Sequence, residues 1–337
     1  MAKLPAVTDD KAGDAAAAGH ARYLVENKII GGDAVFESEQ LSIYPHAAAW
    51  HNERLGTQWY SSASATAAWD GVVLSSDDPN LTGKELIDQL FSIPFQLVGL
   101  MHPQLFQVAG GTFCDNVRCV AVFVPHYGLP AKVHRKLYKG QEPLMWNSHL
   151  GVFPLSFGKL RKPIEFPPDG SITSITSYAG RDFYNPLLSC PGYAPPTGAP
   201  ITIQFGAERR ADSPSRITKH SLTREGTEIE NCLVSGYTYK IPKQSPTSTS
   251  KPVSAIPSAK ITERNEKILV AITAPFLRFL GAAVIIPRRP LKPGVYKVSV
   301  TAGDKTYDWS FTVAPPTRRP PGRQSRTRDH PNDARRA

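Results

Sequence analysis

Long apolar runs are missing from this chain of 337 residues. No stretch approaches the roughly 18 consecutive apolar residues of a membrane-spanning helix, so no transmembrane segment is expected. The start, Met1-Ala-Lys-Leu4, lacks a basic segment followed by an apolar run, and no signal peptide is visible. Cysteine is scarce, with Cys114, Cys119, Cys190 and Cys232 the whole set. No Cys-x-x-Cys occurs and no histidine stands at ligand spacing beside either pair, which leaves a zinc site without support. Gly-x-Ser-x-Gly, Gly-x-Gly-x-x-Gly and the Walker pattern are absent too, so three common catalytic signatures are missing.

Proline, by contrast, is frequent, at 31 residues. It is poorly tolerated in helix interiors and central strands, which excludes a helical bundle or coiled coil and favours loops and edge strands. Hydrophobic residues at 41% and charged residues at 20% allow a globular core. The length suggests about two domains. The net charge of +10 is unevenly spread: residues 1–125 carry −7, residues 126–314 carry +12, and residues 315–337 carry +5. An acidic front half does not suit a nucleic-acid-binding domain, so no specific nucleic-acid binding is expected. The basic remainder reads as a solvated surface plus a disordered Pro/Arg-rich tail. A rival reading makes the basic second half and tail a binder of nucleic acid or of an anionic surface.

An even cysteine count that splits into two local pairs reads as two disulfides, one per domain: Cys114 with Cys119, and Cys190 with Cys232. Disulfides imply an oxidising compartment, extracellular or in the cell envelope. We therefore expect the export leader to lie upstream of Met1.

The alanine-rich stretch 11–27 predicts a helix with Ala17, Ala21, Leu24 and Val25 on one face. Residues 28–68 read as a long loop with some short structure. Thr82-Gly-Lys-Glu85 is a capping box, and the helix it starts must stop near Pro94. Residues 105–125 read as a hairpin stapled by Cys114 and Cys119. Residues 126–162 form a connecting segment. From 163 to 314, dense Pro-Gly punctuation and short apolar runs predict a β-sandwich. Its clearest hairpin alternates Tyr296, Val298 and Val300, turns through Thr301–Thr306, and returns through Tyr307, Trp309, Phe311 and Val313. Residues 245–254 form a polar Ser/Thr/Pro loop, and 315–337 are the tail.

Among nine histidines, only His51-Asn-Glu53 sets an imidazole beside a carboxylate at short spacing. On a strand such residues share a face, and together they could share a proton, bind a metal or hold a polar ligand. The plain alternative is a surface histidine beside a surface glutamate. Trp59-Tyr60 could floor a pocket or simply pack. Arg288-Arg289 could grip an anion or form an exposed turn between Pro287 and Pro290.

Several strings together resemble bacterial members of the CAP superfamily (cysteine-rich secretory proteins, antigen 5, pathogenesis-related proteins). His20-Ala-Arg-Tyr-Leu-Val-Glu-Asn27 is similar to that family's second helix, His51-Asn-Glu53 to its His-x-Glu motif, and Trp59-Tyr60-Ser61 to the aromatic stretch that follows. Asp88-Gln-Leu-Phe-Ser-Ile-Pro94-Phe95-Gln96, Met101-His-Pro103-Gln-Leu105 and Gly110-Gly111 resemble its later helix and strand. The resemblance covers about residues 11–125; the family's first helix has no counterpart. Pro287-Arg-Arg-Pro-Leu-Lys-Pro-Gly294-Val-Tyr296-Lys-Val298 resembles the ending of bacterial immunoglobulin-like domains.

The resemblance implies an α+β chain: a CAP-like αβα sandwich over 1–125, then an Ig-like antiparallel β-sandwich over 163–314. It places His51, Glu53 and Gln96 as cleft candidates. The family's cleft holds two histidines and two acids. Here Gln96 stands at the second histidine position, and the second acid has no sure counterpart, with Asp70, Asp77 and Asp78 only nearby. Glutamine cannot take a charge and is a poor transition-metal ligand, so no cofactor is expected beyond weak divalent-metal binding. The expected function is a non-catalytic extracellular or envelope binding protein whose ligand or cell-surface partner the sequence does not name. The alternative is a peptide or glycan hydrolase acting through His51 and Glu53.

Overall fold

The computed structural model describes residues 6–29, 50–103, 105–127, 160, 162–180, 185–206, 216–240, 273–278 and 280–315. Most of the connecting segment expected at 126–162, the polar loop at 245–254 and the tail beyond 315 lie outside the described residues.

In the first part of the chain, β1 (Thr8–Asp9) leads into α1 (Lys11–Glu26), and α2 (Ser62–Asp70) leads into β2 (Val72–Ser76). Next come α3 (Gly83–Ser92) and α4 (Pro94–Leu100), then the hairpin of β3 (Leu105–Cys114) and β4 (Cys119–Tyr127). These strands form one sheet in the order β1-β3-β4-β2. Strand alternation decides what covers each face. Val120, Val122 and Val124 of β4 pack with Ala17, Ala21 and Leu24 of α1. Ala121 and Phe123 point the other way, onto Leu86 and Leu90 of α3. The sheet is thus covered by helices on both faces. The approach of α1 to β3 is so close that a Cβ on Gly111 would fall 2.0 Å from the Ala18 nitrogen, so only glycine fits there.

One expectation needs correction here, and another needs an addition. The stretch 28–68, read as a long loop with some short structure, runs into the regular helix α2. Its alanines and serines lack the apolar periodicity that betrays a helix, and Ser61 supplies the start by accepting from the Ser64 N–H. The helix begun by the Thr82–Glu85 capping box does stop before Pro94, but the chain re-enters a helix at once. Proline, forbidden inside a helix, is well suited to the first position of α4.

The second part is mostly sheet. It contains β5 (Ile164–Phe166), β6 (Ser171–Thr173), β7 (Ser177–Tyr178), β8 (Thr197–Gly198) and β9 (Ile201–Gln204). It continues with β10 (Ile217–Arg224), β11 (Thr227–Glu228), β12 (Asn231–Ser235), β13 (Ala282–Pro287), β14 (Gly294–Ala302) and β15 (Lys305–Val313). A five-stranded sheet, β11-β10-β14-β15-β6, faces a four-stranded one, β12-β13-β9-β5, while β7 and β8 pair separately. Ile201, Ile203 and Ile285 of one sheet meet Leu222, Val298, Trp309 and Phe311 of the other in a shared core. In the expected hairpin, Tyr296 stands opposite Phe311 and the rings stack with centroids 5.3 Å apart. The Tyr296 hydroxyl accepts from the Lys292 N–H and donates to the Lys292 carbonyl, both at 2.9 Å, and so fixes the corner before β14.

The outer face of the four-stranded sheet is buried as well. Ala282, Val284 and Ile286 pack with Phe95 and Val98 of α4 and with Leu277 of the helical stretch 273–278. Gln204 donates from Nε2 to the Val98 carbonyl at 2.9 Å. One layer of helix therefore serves two sheets, and the two parts of the chain share a core. The fold is mixed α and β, with sheet predominating. Both expected disulfides are formed: Cys114–Cys119 closes the tip of the β3–β4 hairpin, and Cys190–Cys232 ties a 3₁₀ turn, Pro186–Ser189, to β12. Among the described residues, no helix is long and apolar enough to cross a membrane.

Candidate functional site

A histidine sits in the buried stripe of α1. Ala17, His20, Ala21 and Leu24 fall on one helix face, and all are fully buried. A buried imidazole needs partners for both nitrogens. The segment 50–61 supplies them. His20 Nε2 lies 2.8 Å from the Trp50 carbonyl, which can only accept, so Nε2 is protonated and donates. His20 Nδ1 lies 2.9 Å from Glu53 Oε1, and one proton is held between them. The other carboxylate oxygen accepts from Ser64 Oγ at 2.9 Å and from the Ser61 N–H at 3.2 Å. Glu53 thereby sits at the N-terminal end of α2, where the helix dipole favours negative charge.

His51 serves the other end of the same helix. Its Nδ1 donates to the Ala68 carbonyl at 3.0 Å. Ala68 lies in the last turn of α2, where carbonyls have no helical partner. The bond fixes the tautomer and leaves the lone pair on Nε2. Burial pushes the His51 pKa down to about 4; the Ala68 bond opposes this, and the nearby charge of His20 adds to it. At neutral pH His51 is an uncharged and weak base, far from the value that suits general-base catalysis near pH 7.

Serine, carboxylate and imidazole are thus in contact, but in the wrong order for a nucleophilic triad. A catalytic serine bonds the imidazole, and the acid bonds the imidazole's far nitrogen. Here Ser64 bonds the acid, and a backbone carbonyl takes the far nitrogen of His20.

The rest of the segment is pinned to α1 at short intervals. The Tyr23 hydroxyl accepts from the Arg54 N–H at 2.9 Å, and Asn27 Nδ2 donates to the Gln58 carbonyl at 2.9 Å. The Arg22 guanidinium lies 3.3 Å from the centroid of the Trp59 ring, a cation–π contact. Trp59 has φ 68°, an uncommon conformation for a bulky residue, and these flanking anchors hold it there. Tyr60 packs against the α1 core. The aromatic pair is packing, the plainer of its two sequence readings.

Sequence spacing pairs His51 with Glu53, whereas the structure gives Glu53 to His20 and His51 to the Ala68 carbonyl. Gln96 stands on α4, whose buried neighbours belong to clusters that contain no residue of α1. Asp70, at the end of α2, is raised in pKa by burial, against the nearby charge of His126. His126 itself lies 3.1 Å from Asp10, the residue preceding α1. His20 was the partner to find, and its signal was a histidine in the middle of an apolar helical stripe. Nothing local in the sequence marks His126 and Asp10. Among the described residues, no three His, Cys, Asp or Glu side chains converge as a metal site requires. Arg288 bonds Glu230 at 2.6 Å and the Gly192 carbonyl at 3.2 Å, so this guanidinium braces an exposed turn.

A neutral, half-buried His51 makes stability depend on pH. The ring titrates near 6.5 when unfolded and near 4 when folded. Between these values the unfolded chain binds more protons, so stability is full above pH 6.5 and falls as pH drops toward 4. At full burial a shift of this size is worth about 3 kcal/mol. His51 is half-buried, so roughly 2 kcal/mol is expected after solvent screening. Urea unfolding of the native protein and of His51→Asn between pH 4 and 7 measures this: the variant should lose most of the slope. Parallel profiles would place the slope on other groups.

A search against protein-family models and one against curated proteins find no match. Among solved structures, the methionine-rich copper resistance protein PcoC of Escherichia coli matches at 16% identity, over 46% of this chain and 97% of PcoC, with a TM-score of 0.20. A likeness that low carries no argument about fold or function.

Proposed function

We propose that this chain is an exported binding protein of the cell envelope or extracellular space, built from a CAP-like αβα sandwich with a degenerate polar cleft and an Ig-like β-sandwich, and that it is not an enzyme. One observation carries this reading. The groups that would do chemistry are spent on structure: Glu53 accepts from His20, Ser61 and Ser64, His20 is bonded through both nitrogens, and His51 closes a helix carbonyl with its pKa pushed down to about 4. The αβα layering of residues 6–127 supports the CAP-like part. The two facing sheets, with the Tyr296 hydroxyl returned to the backbone four residues upstream, support the Ig-like part, where a tyrosine corner of this kind recurs. Two disulfides fit an oxidising compartment.

Calorimetric zinc titration, together with turnover assays on ester, peptide and glycan substrates, tests this reading. We expect zinc binding no tighter than about millimolar and no turnover that responds to His51→Ala. A tight stoichiometric heat lost in His51→Ala, or hydrolysis lowered about 10²–10⁴-fold by it, as for removal of a general base, would establish the hydrolase alternative instead.

A further inference from the structure

The two disulfides occupy opposite kinds of place. Cys190 is buried in the core cluster with Leu277 and Val284, and its bond spans a sequence separation of 42. Cys114 and Cys119 instead stand directly opposite each other at the end of the β3–β4 ladder, where the chain is already held. Asp115 closes the turn between them. Its N–H donates to the Arg118 carbonyl at 3.0 Å, and its Oδ1 accepts from the Val117 and Arg118 N–H groups, both at 2.7 Å. The ladder and the turn therefore supply most of the constraint that the bond imposes, and the bond is free to be exchanged without loss of the hairpin.

The sulfurs also differ in access. Of the four cysteines, Cys114 alone is exposed. Cys119 is fully buried, with Sγ 3.2 Å from the Pro79 carbonyl. Exchange requires a thiolate to reach one sulfur while the other leaves, so access decides which sulfur is attacked. Here that sulfur belongs to Cys114. After reduction the paired strands keep both thiols face to face, so the bond can re-form. An accessible bond on a frame that does not need it is a reversible couple rather than a staple.

We propose that Cys114–Cys119 is a thiol–disulfide exchange site for a protein dithiol. One thiolate of the partner attacks Cys114 Sγ. The Cys114–Cys119 bond breaks as the intermolecular sulfur–sulfur bond forms, and Cys119 leaves as a thiolate that takes up a proton. Its S–H then has the Pro79 carbonyl as acceptor. The partner's second thiol loses its proton and attacks the partner's own sulfur in the mixed disulfide, which releases Cys114 as a thiol. This chain gains two electrons and two protons, and the partner dithiol becomes a disulfide. Val117, 58% exposed at the tip of the hairpin, gives the partner an apolar contact beside the reacting sulfur. The site lies apart from the α1 polar centre and does not rest on how that centre is read.

Reduced thioredoxin, a protein dithiol, is the probe, with dithiothreitol as the small-molecule control. The full native chain is treated, quenched with acid and alkylated, and peptide mass spectrometry reads each cysteine pair. Thioredoxin should open Cys114–Cys119 about tenfold faster than Cys190–Cys232, while thermal unfolding stays cooperative. Two single variants locate the point of entry. With oxidised glutathione, the Cys114 thiol left in Cys119→Ser should be modified about tenfold faster than the Cys119 thiol left in Cys114→Ser. Circular dichroism checks that both variants fold, and the measurement on the native chain stands without them. Three results overturn the proposal: opening of Cys190–Cys232 as fast as that of Cys114–Cys119, opening by dithiothreitol but not by thioredoxin, or equal modification of the two folded variants. None of these bears on zinc binding or turnover at His51.

Discussion

Glu53→Ala should destabilise the protein by about 3–5 kcal/mol, the cost of removing one partner from a buried ionisable pair. The loss is large because one carboxylate serves three donors. Without it, His20 Nδ1, Ser64 Oγ and the Ser61 N–H all lose their acceptor inside a packed region. Segment 50–61 would lose its central attachment to α1, and α2 would lose the negative charge at its start. Glu53→Gln is the informative companion: it keeps one acceptor oxygen and similar packing, and so should retain part of the stability. Urea unfolding of both variants reads this directly. A loss below about 1 kcal/mol for Glu53→Ala, the scale of an exposed ion pair, would mean that the pair is solvated and that Glu53 remains available for chemistry. That result would also remove the main support for a non-catalytic centre.

Much of the fold was legible in the sequence because the relevant signals are local. The alanine run of α1, the Thr82–Glu85 capping box, the Cys114–Cys119 turn and the Tyr296–Val313 alternation each act within a dozen residues. Helix α2 was not legible, because Ser62–Asp70 has no strong apolar period and is held by contacts from elsewhere: Glu53 at one end and His51 at the other. The shared helical layer was equally hidden. Phe95 and Leu86 look alike in sequence, yet one packs on the second sheet system and the other on the first.

The candidate site illustrates the same limit. Spacing placed His51 and Glu53 together, and both do belong to one segment on α1. What spacing could not supply was the partner 33 residues away that claims the carboxylate. A histidine at position 20, between Ala17 and Leu24 on a buried stripe, demanded two polar neighbours from outside its helix. Read as a demand rather than as a motif, it called for polar partners from elsewhere in the chain, but nothing in the sequence singled out Glu53 over Asp33, Glu37 or Glu39. The His-x-Glu string is accounted for by capping the two ends of α2, which is a structural use of residues that in another arrangement would do acid–base work.

Replacing Cys190 and Cys232 by alanine should cost about 4 kcal/mol, against about 2 kcal/mol for the same change at Cys114 and Cys119. The difference follows from the closed loops. In the chain-entropy treatment, a cross-link removes more freedom from the unfolded chain the longer the loop it closes. The sequence separations are 42 and 5. The longer loop, Cys190 to Cys232, holds β8, β9, β10 and β11, so the bond joins parts of the second sheet system that other contacts must otherwise bring together. The shorter loop joins strands already paired directly through Cys114 and Cys119, and the hairpin ladder supplies most of the same constraint. Cys190 is also buried in the cluster containing Leu277 and Val284, so its loss loosens the layer that packs on α4. Urea denaturation of the two double variants, with the reduced native protein as a third sample, gives the ranking. Reduction should cost at least as much as the Cys190/Cys232 change. Equal losses for the two pairs, or a larger loss at the hairpin tip, would show that native-state packing rather than unfolded-state entropy sets the contribution of each bond.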